Sequence, residues 1–525
     1  MMKSMKRRCK VSLPFMFYFG RFLVLVSMAG LFTVQAGGFS DGFVDGLVGD
    51  LVDDRGDHCF SGKSSGKITF LNFGEIVVLC REGDFYRLSE ASLKAVNGKQ
   101  SLRFVLSTDV LIKTGSTFSP SDVAQLHPNL GSARLVFSAK EFKYYRIALK
   151  NPELIPQTIR GLSSSKAVLL VQPDILQVLK KRPENLFLGG GAESSKEGKE
   201  RKTSEIQSDN HTLTSPKSEM FAKVGVDTSI SDEDTAAIDT VLNTKGSPLL
   251  SRRELGLLSD KAYLAYLDSI GVPELQQRGL GLEGVRIAII DDGFNLGHQA
   301  LKHIKPHFAY DLDSQTLSLN AVSKGGDHGT RVAGIIWGQA EQPVKGLAPN
   351  AKFIALRHTN TWTSLTLLAF HLAQLSAADI VNCSWNSHWL AQPVADAINE
   401  LTVNGRSGKG AAVIFAAGND AQYIQAQSIE ASVPSAIVVG AIDRNGRPLP
   451  SNNFGPSVDL LMYGDDVRTS GARGGYTRLS GTSATAAITT GVAALILASE
   501  PTLTLTELNS ALALLANQFD GDDRP

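Results

Sequence analysis

Between about residue 250 and residue 520 the chain alternates short apolar runs of strand character with stretches of helical spacing, and nothing else narrows its possible folds as much. The runs 285–290, 351–356, 380–383, 411–416 and 436–439 each hold at most one polar residue. Strands with one wet face alternate polar and apolar positions, whereas strands buried on both faces read as continuous apolar runs. Helical patterns at 328–337 and 365–375 fall between them. Parallel strands need a crossover between neighbours, and helices supply it. The expectation for 250–525 is an α/β domain: three layers, with a central parallel sheet between helices. Its chemistry would collect at the carboxyl ends of the strands.

The part upstream reads as four segments. Lys3, Lys6, Arg7, Arg8 and Lys10 precede an uncharged run at 22–34, and Val34-Gln35-Ala36 has the spacing of a cleavage site. Thirteen residues rise about 20 Å as a helix, short of a bilayer's apolar core of about 30 Å. Lengthening the run back to Val11 would bury Arg21. Residues 1–36 are therefore expected to be an export signal rather than an anchor, with the protein periplasmic or secreted and free of the membrane after cleavage. Residues 37–95 receive no role. Residues 96–182 read as a small α/β domain, with strands at 102–106, 144–149 and 167–171 and a helix at 152–162. Residues 183–249 are polar and poor in aromatics, as in a flexible linker; a partly ordered surface loop is the alternative.

Composition removes several classes. Lys+Arg and Asp+Glu are both 52, so no global field draws nucleic acid. Four cysteines cannot staple 525 residues. In an exported protein Cys59 could pair with Cys80, and the apolar setting of Cys383 predicts a buried, inert thiol.

Four short motifs in the α/β region can carry chemistry. Asp291-Asp292-Gly293 ends the first strand, His328 opens a helix rich in small residues, Asn419 ends the strand 411–416, and Ser483 opens another helix. Each has a plain reading alone: an acidic strand end, a structural histidine, a turn asparagine, a helix cap. Together they follow one of the chain orders of a Ser-His-Asp triad. Asp291 and His328 are 37 apart, His328 and Ser483 are 155 apart, and Asn419 lies 91 after His328 and 64 before Ser483. A serine at a helix N-terminus meets backbone N–H groups and the positive end of the dipole, which suits a nucleophile beside an oxyanion.

The runs IAIIDDG, DHGTRVAGI, GLAPNA, AAGN, VPSAIVVGAID and SGTS make residues 270–515 resemble the subtilisin-like serine peptidases. The resemblance implies Ser483 as nucleophile, His328 as base and then acid, and Asp291 holding the imidazole. It implies Asn419 as an oxyanion donor, and Ser384, Trp385, Asn386 and Gly418 as substrate-binding positions that pair with an extended polypeptide. Two departures stand out. Ala487 occupies a place where the family has proline, which could shift the helix bearing Ser483. Ser384-Trp385-Asn386-Ser387 replaces Ser-Leu-Gly-Gly. Upstream, YYRIAL, PELIPQTIRGLSS and AVLLVQPD resemble a propeptide, which implies a precursor whose own propeptide is a partner; a permanent accessory domain is the alternative.

Two further classes stay open at this level. One is a non-enzymatic relative that binds peptides or a partner. The other is a receiver-like protein using Asp291 and Asp292 with Mg²⁺, although no phosphate-cradling glycine motif follows the first strand. No metal site or cofactor is expected; structural calcium is possible, but no loop has convincing ligand spacing.

Overall fold

Two β-sheets, one from each half of the chain, sandwich a pair of helices. The computed structural model describes residues 66–89, 91–92, 102–178, 252–278, 281–317, 327–339 and 344–517. The predicted export segment, the polar segment 183–249 and the chain end after residue 517 lie outside the described residues.

The N-terminal sheet has seven strands: β1 (Lys67–Asn72), β2 (Glu75–Glu82), β3 (Phe85–Leu88), β4 (Arg103–Gly115), β5 (Leu130–Ser138), β6 (Phe142–Leu149) and β7 (Val168–Val178). Their order is β1-β2-β3-β4-β6-β5, with β7 also on β4, and every pairing is antiparallel. Helices α1 (Pro120–Ala124) and α2 (Ile155–Ser163) also belong to this half. The boundary expected near residue 95 is not a structural one, because Tyr86 of β3 pairs with Phe104 of β4 and joins the early hairpins to the later sheet. Nor does the last strand stop before Gln172-Pro173-Asp174. Pro173 lies opposite Val110, at a register shift in the β4–β7 ladder. An irregularity there tolerates the missing N–H of proline, so the strand continues. Cys80 is disulfide-bonded; Cys59, its expected partner, lies outside the described residues.

The second half opens with α3 (Arg252–Ser269) and α4 (Val272–Arg278) and then alternates as expected. Its strands are β8 (Arg286–Asp291), β9 (Phe308–Asp311), β10 (Thr316–Leu317), β11 (Lys352–Arg357), β12 (Ile380–Cys383), β13 (Ala412–Ala416), β14 (Ile437–Ile442) and β15 (Leu460–Tyr463). The sheet order is β10-β9-β11-β8-β12-β13-β14-β15, parallel throughout except for the β9–β10 edge. The helices are α5 (Asp327–Trp337), α6 (Thr363–Leu375), α7 (Gln392–Gly408), α8 (Thr482–Ser499) and α9 (Leu505–Asn517), and a hairpin of β16 (Val467–Ser470) and β17 (Tyr476–Leu479) precedes α8.

Side chains alternate across a strand, and the sheet divides them accordingly. Ile287 and Ile289 of β8 enter a core shared with α5 and α8, while Ala288 and Ile290 enter one shared with α6 and α7. The second core runs on without interruption into Phe70, Phe104, Ile112 and Phe137 of the N-terminal sheet. Helices α6 and α7 are thus covered on both faces. Helix α8 is long and apolar enough to cross a bilayer, but residues 482–497 are buried inside the protein. It begins at Thr482, and the methyl of Ala487 packs in the core. Helix α9 opens with a reciprocal cap: Thr504 Oγ1 accepts from Glu507 N at 3.3 Å, and Glu507 Oε2 accepts from Thr504 N at 2.8 Å.

Candidate active site

The carboxyl ends of β8, β12 and β13 bring together side chains far apart in the sequence. Asp291 ends β8 and is buried. Its Oδ1 accepts from Asp292 N at 2.8 Å, and both carboxylate oxygens meet His328 Nδ1, at 2.9 and 3.0 Å. A carboxylate only accepts, so the proton sits on Nδ1 and Nε2 is left as the basic nitrogen. Burial pulls the imidazole pKa down, but the Asp291 charge and hydrogen bond, joined by Asp292, outweigh it and hold His328 above its ordinary value.

Asp292 performs a task the motif alone did not reveal. Its carboxylate accepts from Gly329 N at 2.9 Å and from His328 N at 3.3 Å, capping the first turn of α5. Burial first, and then the Asp291 charge, raise its own pKa. Gly329 allows the close approach, because a Cβ there would lie 2.4 Å from Gly293 O.

Ser483 is the second residue of α8, largely buried, in a turn whose N–H groups lack intrahelical acceptors. Asn419 Oδ1 accepts from Thr482 N at 3.0 Å and from Thr482 Oγ1 at 3.2 Å, which leaves the amide nitrogen as the donor end of Asn419. Gly418 holds that turn at φ +103°. Its N–H donates to Thr482 Oγ1 at 3.1 Å, and a Cβ there would strike Asn453. The Ser483 hydroxyl donates to Ser384 O at 3.1 Å, while Ser384 Oγ donates to Asn382 Oδ1 at 3.0 Å. No hydrogen bond joins Ser483 to His328 among the described residues, and such bonds are often long before substrate arrives.

The other predicted substrate positions are tied into the protein. Trp385 Nε1 donates to Ile290 O at 2.7 Å, and its ring meets Phe415 edge-on. The Asn386 amide bonds Ala416 O and Ala431 N. Cys383, just before, is free and buried; burial, then Glu430 and Asp291, push its thiol pKa well up. Nearby His358 donates its backbone N–H to Asp291 O at 2.7 Å, and burial lowers its own pKa to about 4. No group of three or more His, Cys, Asp or Glu residues able to hold a metal lies among the described residues.

A doubly covered parallel sheet with this cluster at its carboxyl edge is the arrangement of the subtilisin-like serine proteases. The chain matches the sequence profile of the subtilase family over residues 283–524. It is 31% identical over 249 residues to a thermophilic serine proteinase of Bacillus sp. (strain AK1), covering 46% of this chain and 58% of that protein. It is 27% identical to endoprotease aex-5 of Caenorhabditis elegans, covering 47% of this chain and 49% of that one. Against subtilisin DY of Bacillus licheniformis the identity is 28%, covering 48% of this chain and 90% of that protein. The chain thus spans about half the length of the first two relatives.

Proposed function

We propose that the protein is an exported serine endopeptidase, made as a precursor, that hydrolyses polypeptides through Asp291, His328 and Ser483. The observation that carries this reading is the double contact of Asp291 with His328 Nδ1, which selects the tautomer a general base needs. In this mechanism Ser483 Oγ attacks the scissile carbonyl carbon and His328 Nε2 takes its proton. The carbonyl oxygen becomes an oxyanion held by the Asn419 amide and the Ser483 N–H. His328 then protonates the leaving amine as the C–N bond breaks. A water, deprotonated by His328, attacks the acyl ester, and Ser483 recovers its proton.

The N-terminal domain serves in this reading as the enzyme's own propeptide. Three contacts at the end of β7 support it. Leu176 bridges antiparallel to Trp362, Thr361 Oγ1 donates to Gln177 O at 3.1 Å, and Thr363 Oγ1 donates to Ile175 O at 3.2 Å. A strand end lying antiparallel beside an extended segment in this way resembles bound substrate. Maturation would then require a cut between Val178 and Arg252.

A peptide-binding protein without catalysis is the second reading, and the Ser483 hydroxyl resting on Ser384 O favours it. A fluorophosphonate separates the two. Covalent labelling of the wild type and none of Ser483→Ala is the expected result; an unlabelled wild type supports the binding protein. Intact mass of the chain lacking residues 1–36 tests the precursor: Ser483-dependent cutting after Val178 is expected, and an uncut, labelled chain would mean a retained accessory domain.

A further inference from the structure

Two segments that leave adjacent strands flank Ser483. Ser384–387 follows β12, residues 416–419 end β13, and Cys383 and Phe415 are paired neighbours. Neighbouring strands lie about 4.8 Å apart, so a side chain can enter only where the two segments diverge. The Ser483 hydroxyl reaches the first segment at Ser384 O, and Asn419 closes the second against Thr482. An acyl group with its carbon at Ser483 and its oxygen at Asn419 therefore directs its residue's side chain between the two. The turn Glu430–Ser432 is bonded to the first segment through Ala431 N and Glu430 Oε2, and in the arrangement proposed below it is the floor.

Asn386 ties all three surfaces together. From the first segment its Nδ2 donates to Ala416 O on the opposite wall, and its Oδ1 accepts from Ala431 N on the floor at 3.1 Å. The next residue makes a second tie to the floor. Ser387 N and Ser387 Oγ both donate to Glu430 Oε2 at 2.8 Å. Glu430 is buried, and burial raises its pKa against those two bonds. A wall-to-wall amide occupies the volume in which a long or aromatic side chain would sit, and displacing it would leave Ala416 O and Ala431 N without partners. Unpaired buried polar groups make such displacement costly.

Building on the peptidase reading above, we propose that Asn386 sets the size limit for the substrate residue that contributes the scissile carbonyl, restricting it to glycine, alanine or serine. The specificity rests on steric exclusion by a hydrogen-bonded side chain.

The test uses the full chain as it matures, with active sites first counted by fluorophosphonate. Peptides differing only at the residue before the scissile bond (Gly, Ala, Ser, Leu, Phe) are compared by kcat/KM. The wild type is expected to favour the small residues over Leu and Phe by roughly tenfold or more. In Asn386→Gly, and in Asn386→Ser as a second variant, the Leu-to-Ala and Phe-to-Ala ratios should each rise by roughly tenfold or more. The wild-type series stands even if a variant fails to fold. A labelled wild type that cuts after Phe as readily as after Ala overturns the proposal alone, as do labelled variants with unchanged ratios. A wild type that takes no label overturns the peptidase reading and this proposal with it.

Discussion

Two adjacent carboxylates act on His328 by different routes. Asp291 bonds its ring, while Asp292 bonds the N–H groups that start its helix. Catalysis by the proposed route requires neutral His328, and both charges raise its pKa from the ordinary value of about 6.5. Activity should therefore fall as pH drops through a value above 6.5, and Asp292→Asn should move that acid limb of kcat/KM to lower pH. An unmoved limb in the variant would show that the Asp292 charge does not reach the imidazole. His358, lowered to about 4, titrates too low to be mistaken for His328. At the oxyanion position, Asn419→Ala should lower kcat by about 10²–10³ with little change in KM, the scale known for the corresponding donor in subtilisin itself. A loss expressed in KM alone would assign Asn419 to ground-state binding.

At the scale of elements, the N-terminus of α6 has no cap from its own segment. Asp174 of β7 provides one from the other half of the chain: Oδ1 accepts from Ser364 N at 2.9 Å, Oδ2 from Ser364 Oγ at 2.7 Å, and Arg146 Nε lies 3.3 Å from Oδ2. Burial pushes this carboxyl up to about 6, against the pull of Ser364 and Arg146. A raised folded-state pKa means the contribution is fully present below the usual carboxylate range and is lost as pH rises through about 6. Wild-type Tm should thus decline relative to Asp174→Asn between about pH 4 and pH 7. Parallel Tm curves would refute the linkage. His371 of α6 opposes it, since burial lowers its pKa where it packs on Phe137, and comparison with the variant isolates Asp174. Trp389 anchors the same interface between the edges of Phe70 and Phe104, at 6.3 and 5.7 Å. Trp389→Ala should cost about 3–5 kcal/mol in unfolding free energy.

Across the whole molecule, one apolar core joins the N-terminal sheet, α6, α7 and one face of the parallel sheet. Buried and half-buried polar links accompany it. Asn72 Nδ2 donates to Leu390 O at 3.1 Å, Gln177 Nε2 donates to Trp389 O, and Lys113 meets Asp396 at 2.7 Å. An interface built like an interior does not separate when the chain is cut. A single exogenous cut between Val178 and Arg252 should therefore leave two fragments that co-elute on size exclusion at neutral pH. Separate elution would mean that chain continuity holds the halves together.

The parallel sheet was legible because its apolar runs depend only on being buried on both faces, and the motifs around Asp291, His328, Asn419 and Ser483 because their residue types answer to chemistry as well as to packing. What escaped the sequence joins distant residues: Tyr86 to Phe104, Asp174 to Ser364, Leu176 to Trp362, and Asn386 to Ala416 and Ala431. None has a local signature, because a hydrogen bond across 190 positions leaves no periodicity in either segment. Sequence alone carried the resemblance to the subtilisin-like peptidases and the order of the chemistry-bearing residues. Only the tertiary structure decided that the early hairpins belong to the docked sheet and that Asn386 bridges the segments beside Ser483, since both depend on which chain ends meet once the two sheets enclose α6 and α7.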